Sequence, residues 1–150
     1  MINIKFIKNL AELNKISSTN EVVNFLFTHL GQYGDSKEAI EKCLDYVFST
    51  MEGNGGILLN AYYANSLVGV LIMNKTGMND YIPEYILVYI AVDSKYREKG
   101  FGKEIIKKAL ELTKGDVKLH VEYDNPAKQL YERIGFENKY ADMRYYKEKQ

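Results

Sequence analysis

Val92-Asp-Ser-Lys-Tyr-Arg97-Glu-Lys-Gly100-Phe-Gly102-Lys-Glu-Ile-Ile106 decides the reading of this 150-residue chain. Ahead of its glycines runs Tyr85–Val92, apolar on both faces, which is the pattern of a strand central to a sheet. Behind them Ile105, Ile106, Ala109, Leu110 and Leu112 form the apolar side of a helix from about Gly100 to Lys114, stopped by Gly115. A strand thus enters a glycine turn that opens a helix. Gly100 and Gly102 let the backbone approach a ligand. The first turn of a helix presents N–H groups without intrahelical partners, and with them a partial positive charge. The segment reads as an anion site suited to a diphosphate, with Lys99 and Lys103 at its rim; the alternative is a strand-to-helix turn that merely needs glycine.

Two familiar phosphate loops do not fit. A Walker A loop needs a glycine where Arg97 stands and Ser or Thr where Glu104 stands. A dinucleotide fingerprint needs a third glycine where Ile105 stands.

Working outward, an opening strand is expected near Ile2–Ile7. Ser18-x-x-Glu21 is a capping box before Val22, Val23, Leu26 and Leu30 at helical spacing. Asp35 with Glu38 repeats the capping signal before Ile40, Cys43, Leu44, Val47 and Phe48, which places Cys43 toward a core. Ile57–Tyr63 and Leu67–Met73 flank Ala64-Asn65-Ser66 as a hairpin. Val117–Tyr123 is expected as a strand. Asn125-Pro126 starts a short helix that Gly135 ends, and Phe136–Tyr146 is expected to close the sheet with one or two strands. The fold class is α/β: one domain over 1–150, a mixed sheet with helices on both faces.

Composition narrows the function. Lys+Arg and Asp+Glu are 20 each, a balance unlike that of a dedicated nucleic-acid binder. The charge is uneven: residues 1–94 hold 6 basic and 10 acidic groups, residues 95–150 hold 14 and 10. The basic C-terminal part suits an anionic ligand. One cysteine gives no disulfide within the chain, and one Cys with two scattered His gives no zinc spacing. The apolar runs are too short to span a bilayer and the N-terminus has no signal-peptide core. The expectation is a cytoplasmic chain with no metal, no membrane and no nucleic-acid partner.

Arg97-Glu-Lys-Gly-Phe-Gly102 resembles the Gln/Arg-x-x-Gly-x-Gly/Ala motif of the GNAT superfamily of N-acetyltransferases. Ile90-Ala-Val-Asp93 and Asn125-Pro-Ala-Lys-Gln-Leu-Tyr131-Glu-Arg-Ile-Gly-Phe136 are similar to that family's neighbouring segments, in the same order and spacing. The resemblance is at the level of motifs over 84–137 and of element order elsewhere. It implies the GNAT fold, a mostly antiparallel sheet splayed between Tyr85–Val92 and Val117–Tyr123. It also implies acetyl-CoA as cosubstrate and a primary amine, of a small molecule or a peptide, as acceptor.

The implied cofactor site is the main chain from Arg97 through Glu98, Lys99, Gly100, Phe101 and Gly102 to Lys103 for the pyrophosphate. Ile90, Ala91 and Val92 would pair with the pantetheine arm, and a strand N–H near Val92 would polarise the thioester. Asn125 matches a position that contacts the cofactor, although an N-cap explains it as well. Lys128 is within the same segment and is otherwise a solvated lysine. Tyr131, on the inward face set by Ala127, Leu130 and Ile134, matches the acid that protonates the departing thiolate, against a packing role. Glu84 shares strand parity with Ile86 and Val88 and is the expected base, two residues earlier than the family's common register. The alternative function is a GNAT-fold acyl-CoA sensor without turnover. Family members are monomers or homodimers.

Overall fold

The computed structural model describes residues 1–149. The chain forms two units, Met1–Leu119 and His120–Gln150. The first unit holds strands β1 (Asn3–Ile7), β2 (Gly56–Tyr63), β3 (Ser66–Lys75), β4 (Tyr85–Val92) and β5 (Val117–Leu119). Its helices are α1 (Leu10–Ile16), α2 (Thr19–Leu30), α3 (Lys37–Phe48) and α4 (Phe101–Leu112). The second unit holds α5 (Ala127–Ile134).

The sheet runs in chain order, β1-β2-β3-β4-β5. The first three pairings are antiparallel and β4 with β5 is parallel. Ala64 and Asn65 both take positive φ (50° and 64°), the two-residue turn that matches strand twist, so the β2–β3 loop is one residue tighter than the sequence suggests. The middle strand is β3. β4 is interior as expected, paired with β3 on one side and β5 on the other. It is apolar on both faces because helices cover both.

On one face Leu58, Val70, Ile72, Tyr89 and Ala91 pack with Leu13 of α1, Val22, Val23 and Leu26 of α2, and Ile40, Cys43, Leu44 and Val47 of α3. On the other face α4 buries Phe101, Ile105, Ile106 and Ala109 over β2, β3 and β4. Ile105 and Ile106 are fully buried, which stabilises by roughly 1.5–3 kcal/mol each. Gly69 lies directly beneath the Ile105 side chain, so α4 sits close on the sheet and its N-terminus is fixed at the end of β4.

α1 is an element that the sequence pattern did not reveal. Its signal is an Asn cap with a carboxylate three residues on: Asn9 Oδ1 accepts from Glu12 N (2.8 Å) and Glu12 Oε2 accepts from Lys8 N, just before the cap (2.8 Å). α2 has the expected Ser18 cap, which accepts from Glu21 N at 3.1 Å. α3 is capped by Ser36, whose Oγ accepts from Ala39 N at 3.2 Å, rather than by Asp35. Cys43 is buried as expected. Burial pushes its thiol up to about 11, which leaves it protonated and unreactive at neutral pH.

Two expected strands differ. β5 ends at Leu119 instead of Tyr123, and Phe136–Tyr146 forms no strand among the described residues. In that segment Tyr140, Met143, Tyr145 and Tyr146 are exposed, so strand-forming composition there lacks a buried face to fix it.

Candidate active site

β4 carries the site in the first unit. Met73 of β3 pairs with Leu87 and Ile72 with Tyr89, so Val88 is one residue too many: a β-bulge. On the outer side, β5 pairs with β4 only at Tyr85, Ile86 and Leu87. Beyond Leu87 the outer edge of β4 has no strand partner among the described residues. The peptide groups there alternate. Asp93 N donates to Val68 O of β3 (2.8 Å), which assigns the main chain of Ala91 to β3 as well and turns that of Ile90 and Val92 to the open edge. Of the three residues expected to pair with an extended ligand, Ile90 and Val92 therefore present the backbone groups. Ala91 contributes its buried methyl to the core.

At the end of this edge the chain turns. Asp93 Oδ1 accepts from Lys95 N (3.0 Å) and starts a single turn of 3-10 helix, Ser94–Tyr96. Arg97 braces the glycine turn: its Nε donates to Val92 O (3.3 Å) and its Nη2 to His29 O at the end of α2 (2.7 Å). Tyr63, Tyr96 and Phe101 pack ring against ring, with centroids 5.6–6.3 Å apart, and tie the turn to the β2–β3 hairpin. Glu98 and Gly100 take φ of 65° and 81°. For Gly100 this left-handed conformation is free; for Glu98 it stores strain. The first α4 bond is Glu104 N to Gly100 O (3.1 Å), and α4 has no side-chain cap. α1, α2 and α3 are each closed by Asn or Ser. The N–H groups of Phe101, Gly102 and Lys103 thus form an uncapped, positively polarised end where β4 stops. A cavity of about 380 Å³ lies between the end of α2 and the start of the turn, lined by Thr28 to Tyr33, Ser94 and Arg97.

Glu84 stands at the other end of β4. At about 3.3 Å per residue it lies about 26 Å along the strand from Val92. Its carboxyl fills the space a side chain at position 115 would occupy, and it lines a groove with Lys75 and Lys114. It is not part of the glycine turn.

The second unit carries the other three expected residues. Asn125 Oδ1 accepts from Ala127 N (2.9 Å), so it does cap α5. Lys128 Nζ pairs with Glu132 at 3.4 Å, one helical turn on. Tyr131 is buried, edge-on to Phe136 with centroids 5.9 Å apart. Burial pushes its phenol up to about 12, so it is a proton donor at any working pH. A residue that the sequence pattern did not single out is Tyr89, whose hydroxyl donates to Asp35 Oδ2 at 2.6 Å. No local pattern signals a contact 54 residues apart.

The chain is similar to known proteins. The family model for the acetyltransferase (GNAT) domain matches residues 54–138, more than half of the chain. N-alpha-acetyltransferase 30 of Xenopus laevis is 43% identical over 65 residues, which make up 40% of this chain and 24% of that protein. The chain thus spans about a quarter of that relative's length. Among solved structures, an aminoglycoside N-acetyltransferase AAC(6')-Iy in complex with CoA has a TM-score of 0.69 at 15% identity, covering 98% of this chain and 95% of its own. The ribosomal-protein-alanine N-acetyltransferase of Brucella melitensis has a TM-score of 0.65 at 18% identity, covering 97% and 99%. A GNAT acetyltransferase of Streptococcus pneumoniae has 0.66 at 18%, covering 98% and 99%. These structural likenesses carry the fold; together with the domain match, they make this chain a member of the GNAT acetyltransferase family.

Proposed function

We propose that the chain is an N-acetyltransferase that moves the acetyl group of acetyl-CoA directly to a primary amine. The observation that carries this reading is the uncapped N-terminus of α4 at the end of a strand with one open edge. The residues present fit the cosubstrate. The N–H groups of Phe101, Gly102 and Lys103 suit a pyrophosphate, and Lys99 and Lys103 add charge at its rim. Arg97 and Glu98 hold the turn in shape. The backbone groups of Ile90 and Val92 suit the amides of a pantetheine arm, with Ala91 fixing the strand between them. Asn125 is the further contact that the family motif assigns to the cofactor. When bound, acetyl-CoA supplies an activated acyl thioester. The CoA complex of the aminoglycoside enzyme and the names of the N-acetyltransferase relatives support this choice.

Transfer then has three requirements. The acceptor must arrive neutral: an alkyl ammonium of pKa about 10.4 is about one part in a thousand neutral at pH 7.4, a cost of about 4 kcal/mol. Glu84, the expected base, lies about 26 Å along β4 from Val92, beyond the reach of a general base at an acyl carbon held there, so the amine's proton passes to solvent. A main-chain N–H of the open edge polarises the carbonyl oxygen. Tyr131, held protonated by burial, donates to the leaving sulfur. Cys43 takes no part, since its buried thiol is no nucleophile.

The test is CoA release from acetyl-CoA across a panel of amines. kcat/KM for the acceptor is expected to rise with pH through neutrality as the amine loses its proton. It should show no descending limb through the neutral range, because burial holds the donor's phenol above the ordinary tyrosine range. A descending limb between about pH 7 and 9 would assign the proton to a group other than Tyr131. Cofactor binding with no release for any amine would leave the acyl-CoA sensor as the function.

A further inference from the structure

Asp35 closes the loop between α2 and α3, and α3 does not use it. Ser36 caps that helix, so the Asp35 carboxylate is available for another purpose. The Tyr89 hydroxyl claims one of its oxygens at 2.6 Å. Tyr89 is buried in the sheet, and burial together with the neighbouring carboxylate holds its phenol above the ordinary tyrosine range, so it only donates. Asp35 itself is exposed, and among the described residues no lysine or arginine makes an ion pair with it. A donor fixed in the sheet therefore aims a solvent-facing carboxylate that has no internal cation.

Its position matters. Tyr89 follows the Val88 bulge, on the stretch of β4 whose outer edge is open. Tyr33, two residues before Asp35, lines the cavity shared with Ser94 and Arg97. The carboxylate thus stands at the tip of the Tyr89 side chain, on the α2–α3 face of that stretch of β4. It also belongs to the acidic part of the chain, residues 1–94. The reacting nitrogen cannot be its guest during transfer, because an anchored carboxylate favours the ammonium form of whatever it binds and the nucleophile must be neutral.

We propose, resting on the acetyltransferase reading, that Asp35 aimed by Tyr89 holds a second, protonated amine of the acceptor, so that the substrate is a small polyamine acetylated at one nitrogen and anchored by another. The experiment compares two acceptors that differ only in that second charge, 1,4-diaminobutane and n-butylamine, by CoA release at fixed pH. The native chain is expected to favour the diamine by about tenfold in kcat/KM, beyond the factor of about two for its two equivalent amines. Asp35→Asn is expected to bring that ratio down to the statistical factor, mainly through KM for the diamine. Tyr89→Phe, which keeps the charge and loses its aim, should lower the ratio by about threefold. Acetyl-CoA affinity is expected to stay unchanged in both variants.

Equal loss of both acceptors in Asp35→Asn would make Asp35 structural and overturn the proposal. So would a native chain that does not discriminate, or one that acetylates a peptide N-terminus and neither amine; each of these leaves the acetyltransferase reading standing. A native chain that neither binds acetyl-CoA nor releases CoA overturns both.

Discussion

Tyr131→Phe is expected to lower kcat by about 10²–10³-fold while leaving acetyl-CoA affinity within about twofold. A single oxygen makes the difference. Tyr131 is buried on α5, and its phenol, pushed up to about 12, stays protonated across the working range. A phenol in that state has one function available to a leaving thiolate, which is to donate a proton or a strong hydrogen bond. Phenylalanine keeps the ring, its burial and its edge-on contact with Phe136, so the packing loss is small. A fall in kcat with an unchanged cofactor Kd therefore reports chemistry. An unchanged kcat would assign the ring to packing and remove Tyr131 from the mechanism.

Gly100→Val is expected to weaken acetyl-CoA binding by at least about tenfold, since the left-handed conformation costs an L residue roughly 1–2 kcal/mol and a β-branched one more. The site of the change makes the result interpretable. A Cβ on Gly100 meets nothing within 4 Å, so no side chain clashes and no core contact is lost. What changes is the φ of 81° that sets the N–H groups of Phe101, Gly102 and Lys103. Melting is expected to shift by only a few degrees, since about 1 kcal/mol moves a domain of this size by about 2–4 °C. Gly100→Ala should fall between the native chain and Gly100→Val. Undiminished affinity in Gly100→Val would move the phosphate site away from this turn.

Much of the fold was legible because several signals agreed at the same residues. The run Tyr85–Val92, the glycines after it and the apolar side Ile105, Ile106, Ala109 define a strand, a turn and a helix by independent rules, and the structure has all three. The paired carboxylate-and-cap signals marked α2 and α3. α1 went unread because its seven residues bury only Leu13, too little for a periodicity to show. Asp35 and Ser36 are both good caps, and the choice between them depends on Tyr89, 54 residues away. The Val88 bulge is invisible to a period-two pattern, since the extra residue shows only in the pairing with β3. Glu84 shows the same limit: its parity was readable, but its packing against Gly115 depends on where β5 begins. The end of the chain has tyrosines in abundance, and composition alone does not decide whether they find a sheet to join.

Whether the glycine turn and the open edge of β4 hold acetyl-CoA is tested most directly by thermal unfolding of the full chain with increasing acetyl-CoA, with dephospho-CoA and ATP as comparisons. A ligand that binds only the folded chain stabilises it by about 2.7 kcal/mol at 100 times Kd. For a chain of this length that is a rise of about 5–10 °C. That rise is expected for acetyl-CoA, with a similar but weaker one for dephospho-CoA. Little is expected for ATP, which lacks the pantetheine arm that Ile90 and Val92 would pair with. An unchanged melting temperature at millimolar acetyl-CoA would contradict a cosubstrate site at this turn.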